Sequence, residues 1–208
     1  MSGDVRITVT RTLSKDQQER RTRLIDAARE LALQGGYHAV TMHDVADRAG
    51  VARATVYRYF ATKDHLLTEV AAVWAHEVTG DTVALAVGET PAERLTALLG
   101  RIVEVAAANR TLTSAIVQAV TSEDPSVEDA RTELFLLIRD RLAQAIGAPV
   151  PERTDIEIVL GHVLLAALIS LTSLSRPMEE VRDMVTTAAR LVMAGVVPLP
   201  QGEPVESC

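Results

Sequence analysis

The chain has one cysteine, Cys208, so it cannot form an internal disulfide. Its Met1 end carries Asp4 and Arg6 and lacks the apolar stretch of a secretory signal, so a cytoplasmic location is expected. Aromatics are scarce, with two Phe, three Tyr and one Trp, which leaves Ala, Val, Leu and Ile to build any core. The longest apolar run, residues 159–171, is broken by Gly161, His162 and Ser170. It falls short of the roughly 20 residues that cross a bilayer and is expected to be a buried helix, with no membrane partner. Period-two strand patterns, solenoid repeats and low-complexity tracts are missing. So are a P-loop, a dinucleotide fingerprint and any Ser/His/Asp grouping, so neither catalytic residues nor a cofactor is expected. With 208 residues, 48% hydrophobic and 24% charged, the chain is long enough for one or two domains and too apolar to be disordered.

The formal net charge of -7 argues against a polyanionic partner until it is divided. Residues 1–75 hold eleven Arg/Lys against nine Asp/Glu, whereas residues 76–208 hold ten against nineteen. A mildly basic front and an acidic rear point to separate tasks, with the front the candidate for a nucleic acid.

Every periodic segment reads as helix, predicting an all-α fold of about nine helices. Ser14 with Gln17 forms a capping box for a first helix closed by Gly35-Gly36. Thr41 opens a short helix over 42–49 that ends at Gly50, and another short one follows over 53–59. A fourth starts at Thr62 and stops at Gly80. Thr90-Pro91 caps a fifth, running to about residue 109. A sixth covers about 112–120, a seventh runs from Asp124-Pro125 to Ile146, and an eighth covers about 152–173 after a loop at Pro149 and Pro151. The ninth starts at Pro177. The expected division is 15–62 for a helix-turn-helix head, 63–79 for a linking helix, 80–195 for a helical body, and 196–208 for a disordered tail.

The stretch from Gly36 to Leu67 carries the chemistry. Two short helices joined by the tight turn Ala49-Gly50-Val51 have the layout of a helix-turn-helix, whose second helix enters a major groove about 12 Å wide. Helices this short are unstable alone, so flanking helices must hold them through Val40, Val45, Ala46 and Val56. Polar residues of the second helix are thereby left facing outward. Arg53 sits where side chains reach base edges, and Thr55 offers a hydroxyl to phosphate or a methyl to thymine. Tyr57 and Tyr59 carry hydroxyls for phosphate oxygens, and Thr41 and Lys63 stand at helix N-termini that favour anions.

The pattern of a helix ending in Gly-Gly-Tyr, then Thr41, Val45-Ala46, Ala49-Gly50-Val51, Thr55, Tyr57, Tyr59-Phe60 and Lys63 resembles the N-terminal domain of the TetR family of transcriptional regulators over about residues 22–78. Within that family the chain is similar to actinobacterial regulators of sterol and lipid catabolism. The resemblance implies that Phe60 is core, that Thr41, Tyr57, Tyr59 and Lys63 touch phosphates, and that Arg53, Ala54 and Thr55 face bases. One departure is Ala52, where the family often has a serine cap. That cap is worth about 1 kcal/mol, and its phosphate contact is not assigned to Ala52.

By the same resemblance the body binds a ligand and dimerises. The expected partners are double-stranded DNA with a palindromic operator, a second copy of the chain, and a small apolar effector that releases the operator. The expected effector site comprises Trp74, Leu99, Ile102, Val103, Ile116, Phe135, Ile138 and His162, and few aromatics favour an aliphatic, sterol-like or acyl ligand over a planar cation. Binding there is expected to tilt the fourth helix. Met178, Val181, Val185, Ala188 and Val192, at alternating spacings of three and four, form a lengthwise seam expected to pair with the partner copy. His43 and Asp47 share a helix face without further ligands, so a solvated face is expected and no metal. Two other classes remain open: a helical enzyme or lipid carrier whose head is only structural, and an architectural protein that binds DNA without sequence preference.

Overall fold

Ser14 accepts a hydrogen bond from the Gln17 amide while the Gln17 side chain accepts one from the Ser14 amide, so two of the donors a helix start leaves free are satisfied at once. From that capping box the first helix, α1 (Lys15–Ala39), begins. The computed structural model describes residues 14–84, 88–147, 150 and 153–195. The other elements are α2 (Met42–Ala49), α3 (Arg53–Tyr59), α4 (Lys63–Ala84), α5 (Pro91–Ala108), α6 (Arg110–Val120), a 3₁₀ turn (Pro125–Val127), α7 (Glu128–Ile146), α8 (Arg153–Thr172) and α9 (Met178–Ala194). The expected all-α fold of nine helices is what the described residues form. The tail 196–208 and the prolines at 149 and 151 lie outside them.

Four boundaries differ from expectation, each for a local reason. Gly36 kinks α1 at φ 69°, ψ -159° instead of ending it, and one further turn carries Tyr37 onward to Ala39. Gly80 has no atom within 4 Å of where a Cβ would stand. It costs α4 only its low helix propensity, about 1 kcal/mol, and the helix runs through it. Helices α5 and α6 share Asn109 as the cap between them, so α6 starts at residue 110 and not 112. Asp124 caps the 3₁₀ turn, accepting from the Ser126 amide at 2.9 Å, before α7 begins at Glu128.

The core is aliphatic apart from Phe60, Trp74 and Met42. Its central member is α4, which packs against α1 on one side and against α6 and α7 on another, burying Leu66, Leu67, Val70, Ala71 and Trp74. Ion pairs Arg21–Glu69 and Arg29–Glu77 run along the α1–α4 contact. Helices α5 and α9 lie side by side over a long contact, and the Arg94 guanidinium donates to the Ala145 and Ile146 carbonyls, each at 2.8 Å. These two bonds satisfy the C-terminal end of α7, whose last carbonyls have no partner within the helix. On length and composition α8 could cross a membrane. Instead it buries Leu160, Leu164, Ala167 and Leu171 in the bundle and leaves Ile158 and Val159 exposed, so it is buried along one face only.

Gly36 sits in a backbone region that is essentially closed to other residues. Gly36→Ala should therefore lower the unfolding free energy by about 1–3 kcal/mol, read from the urea midpoint. A midpoint equal to wild type would show that the kink tolerates a side chain.

Candidate nucleic-acid interface and effector cavity

Helix α2 packs on α1, and α3 packs on α2. Thr41 caps α2 by accepting from the Asp44 amide at 3.1 Å, while its hydroxyl proton goes to the Asp44 carboxylate. Thr41 thus offers an approaching anion the free amides of the first turn of α2 and not its hydroxyl. Gly50 takes the left-handed conformation at φ 66°, and the Val51 amide returns to the Ala46 carbonyl at 3.0 Å. This closed turn sets α3 against α2. Arg48 ties α2 back to α1 through Glu30 and Gln34.

Helix α3 has no side-chain cap at Ala52, and the Thr55 amide bonds the Ala52 carbonyl at 2.8 Å. Arg53 and Ala54 are exposed, and Thr55 is half-buried beside them. Arg53 donates to the Tyr57 hydroxyl at 3.2 Å and stands 5.5 Å from its ring centroid. The Tyr57 hydroxyl proton therefore stays free, and at 46% exposure the group is open to a phosphate. Tyr59 is placed differently from the phosphate contact expected of it. Its ring packs against the core, and its hydroxyl is shielded from solvent with no hydrogen-bond partner. Arg58, which the sequence pattern did not single out, is exposed on the same helix and covers the Tyr59 ring. Phe60 is 1% exposed. His43 and Asp47 form an exposed pair at 3.5 Å, and no cluster of metal-ligating side chains occurs among the described residues.

Lys63 opens α4 beside this surface, its Nζ 3.6 Å from the Tyr37 ring centroid. Around it lies a polar junction between α1, α4 and the α6–α7 connection that sequence reasoning missed. Tyr37 donates to Asp64 Oδ1 at 2.6 Å, and Ser122 donates to Asp64 Oδ2 at 2.8 Å. The Thr62 and Ser126 hydroxyls are 3.0 Å apart, and Arg131 donates to the Ser122 carbonyl at 2.7 Å. Partial burial, and then the hydrogen bond to the Asp64 carboxylate, push the Tyr37 phenol up to about 12. Hydrogen bonds from Ser126 hold Asp124 below the usual carboxylate range.

Behind the junction a small cavity of about 90 Å³ opens between α4, α5, α6, α7 and α8, and it reaches the size usual for small-molecule sites, roughly 300–1,000 Å³, only together with the adjoining groove of about 330 Å³. Of the expected lining residues, Trp74, Ile102, Ile116, Phe135 and Ile138 face it. Leu99 and Val103 do not: both are fully buried packing residues, because they lie on the part of α5 that meets its neighbours directly. His162 is exposed and lines an adjoining groove, its Nδ1 2.8 Å from the Ile158 carbonyl. Lining residues not expected include Val78, Thr79, Val120, Gly161 and Leu164. They were missed because no periodicity tells a cavity wall from core. Thr79 is the one polar side chain among the lining residues, and its proton goes to the Ala75 carbonyl at 2.7 Å. The groove shares Phe135, Ile138, Gly161 and Leu165 with the cavity and leads to Arg139 and Glu157. Glu157 is 7% exposed and is paired with Arg153 at 3.0 Å and Arg139 at 3.5 Å.

The seam on α9 is corrected. Val181 and Val185 are buried at 2% and 0% inside the protomer, and Met178, Ala188 and Val192 pack against the same core. The helices that α9 packs against are this chain's own α5 and α8. The apolar residues α9 leaves open are Met184 and Leu191, alongside Val159 of α8.

Residues 24–70 match the family model described as bacterial regulatory proteins, tetR family, and residues 88–192 match the tetracyclin repressor-like C-terminal domain. The HTH-type transcriptional repressor KstR of Mycobacterium tuberculosis is 34% identical over 183 residues, covering 86% of this chain and 83% of that protein. KstR of Rhodococcus jostii is 34% identical over 160 residues, with coverage of 76% and 74%. Among solved structures, a TetR transcriptional regulator from Rhodococcus sp. RHA1 superposes with TM-score 0.79 at 23% identity, covering 87% of this chain and 99% of that one. Thermus thermophilus FadR in complex with lauroyl-CoA superposes with TM-score 0.67 at 21% identity, covering 88% and 98%.

The raised Tyr37 value has a stability consequence. The folded state keeps the proton to higher pH than the unfolded chain, so the junction's contribution is complete below about pH 10 and is lost as pH rises through about 12. In an ultraviolet titration one tyrosine should ionise late, and Tyr37→Phe should remove that late phase. A variant titration that still showed it would place the perturbed phenol elsewhere.

Proposed function

Because the chain belongs to the TetR family of bacterial regulatory proteins, and so is a ligand-responsive transcriptional regulator and not an enzyme, we propose that it is a repressor. In this reading it binds a palindromic operator as a homodimer in the cytoplasm and leaves it when an apolar effector enters the body. The observation that carries the reading is the continuity of α4, which presents Lys63 beside the α2–α3 surface and lines the cavity with Ala71, Trp74, Ala75, Val78 and Thr79. One rigid element therefore spans both sites, which is what coupling two binding equilibria requires.

Residues 15–62 serve as the DNA-binding head, 63–79 as the link, and 80–195 as the effector and dimer body. Thr41 through its local amides, Arg53, Ala54, Thr55, Tyr57 and Lys63 meet the DNA, with the first and the last two on phosphate. Two heads are needed because a single set of contacts of this size binds weakly, and two-fold symmetry places half-sites about 34–36 Å apart or a multiple of that. The second copy packs on the open faces of α8 and α9, where Val159, Met184 and Leu191 are otherwise exposed.

The effector is amphipathic, with an aliphatic or sterol-like portion lying across the cavity and the adjoining groove and an acidic head at the groove's Arg139. Support comes from the lining itself, almost wholly apolar inside and charged only at the groove. The acyl-CoA complexes of two FadR regulators of the same fold agree with that chemistry.

Selection from random duplexes followed by gel-shift titration tests the DNA half. An inverted repeat should emerge, with affinity falling steeply as salt rises, and Tyr57→Ala should weaken binding about tenfold by removing a hydrogen bond to phosphate. Recovery of no preferred sequence would favour an architectural role, and no binding at all would favour a carrier.

The effector half turns on Gly161, which lines both cavity and groove and has no atom within 4 Å of where its Cβ would stand. Gly161→Leu should put a side chain into that space, keep operator affinity, and weaken release by lauroyl-CoA at least about tenfold. If lauroyl-CoA fails to release the operator from wild type, the acyl class is wrong. If it releases both proteins equally, the effector does not use this cavity.

A further inference from the structure

We propose that Asp64 is a positioning residue for DNA binding: it orients the Tyr37 ring that holds the Lys63 ammonium, and the body sets Asp64 in turn through Ser122. The proposal rests on the reading of Lys63 as a phosphate contact. It assigns no DNA contact to Asp64, Tyr37 or Ser122 themselves.

Lysine is a poor positioning device by itself. Its stem has four rotatable carbons, and an ammonium is a point charge without the planar fork that orients arginine. Lys63 is nevertheless confined. Its Nζ lies 3.6 Å from the centroid of the Tyr37 ring and 3.4 Å from the Tyr37 carbonyl oxygen, so the π face and a backbone dipole of one residue hold the cation. Whatever fixes the Tyr37 ring therefore fixes the charge.

That ring is fixed at its far end. Its hydroxyl donates to Asp64 Oδ1 at 2.6 Å, and the other carboxylate oxygen takes the Ser122 hydroxyl at 2.8 Å. An ionised carboxylate only accepts, so both hydroxyls must donate. Each oxygen of Asp64 thus receives one proton donor, one from α1 and one from the connection that follows α6. Ser122 is not free to follow a wandering partner. Its Oγ accepts from the Asp124 amide at 3.3 Å, and its carbonyl is held by Arg131 of α7 at 2.7 Å.

The relay therefore runs Arg131, Ser122, Asp64, Tyr37, Lys63, from the body to the DNA-facing end of α4. A junction that only glued the two parts together would not need its aromatic member to lie under a cation. Here the same ring is anchored by the carboxylate at its hydroxyl and loaded by the lysine on its face.

The test uses the full-length protein and the operator duplex recovered by selection. Lys63→Ala, Tyr37→Phe, Ser122→Ala, Ser122→Thr and the double variant Lys63→Ala/Tyr37→Phe are titrated over a range of salt, with thermal melting alongside. Lys63→Ala should lower the slope of log affinity against log salt by about 1 for each phosphate it leaves unneutralised. Tyr37→Phe and Ser122→Ala, which keep ring and backbone, should each weaken binding about 5-fold and lower the slope in the same direction. Adding Tyr37→Phe to Lys63→Ala should cost less than about 2-fold more, because the two act as one unit. Ser122→Thr, which retains the hydroxyl, should stay within about 2-fold of wild type. A Tyr37→Phe protein with wild-type slope, or effects that add in full in the double variant, overturns the relay and leaves a junction that only joins the parts. A wild-type slope in Lys63→Ala itself overturns the phosphate reading instead.

Discussion

Everything in this molecule depends on α4 having to bury its surface against two different partners. Leu66, Leu67, Val70 and Ala71 are almost fully buried, because α1 covers one side of the helix while α6 and α7 cover another. Helices α2 and α3, of eight and seven residues, are too short to persist unaided, and they hold their shape against α1, which α4 in turn packs against, and against each other. A displacement of α4 large enough to matter at the cavity is therefore felt at its first turn, where Lys63 and Asp64 stand. Packed interiors are bistable and not continuously soft, so such a helix has few positions to choose from.

Helix α6 offers a second line of contact between the same regions. Val117 and Val120 line the cavity, and the residue after its cap, Ser122, donates to Asp64. Gly36, at the other end of the junction, has only Thr111 of α6 within 4 Å of where a Cβ would stand. The polar groups gathered there are neutral hydroxyls around two carboxylates, Asp64 and Asp124, with Arg131 holding the backbone beside them. Such bonds are directional, whereas the hydrophobic contacts around them are not. The junction thus adds a defined register to an interface that apolar packing alone would leave free to slide.

Local signals were read well where a single residue's backbone chemistry decides the outcome. Ser14, Thr41 and Thr90 cap helices, Gly50 takes a left-handed turn, and the uncapped Ala52 is uncapped. The readings that failed required knowing what lies opposite. Gly36 and Gly80 both looked like stops, yet one only kinks its helix and the other is passed through, because packing of the flanking residues outweighs the propensity of one glycine. Tyr57 and Tyr59, two positions apart on one short helix, looked equivalent as phosphate donors. Their hydroxyls point to different surroundings, since residues two apart lie on different faces of a helix.

Composition and spacing by themselves determined an all-helical, aliphatic protein with a basic helix-turn-helix front and an acidic rear, because caps, turn glycines and apolar period are properties of neighbouring residues. The tertiary structure decided partnership. A heptad-like stripe states that a helix has a lengthwise neighbour but not which one, and Val181 and Val185 turned out to be buried inside the protomer, where α9 packs on this chain's own α5 and α8. In the same way only the fold separates Leu99 from Ile102 as core and cavity wall, and only the fold brings Tyr37, Asp64 and Ser122 together across 27 and 58 residues of sequence. Contacts at such separations leave no periodic trace, because they depend on how whole helices dock and not on the residues beside them.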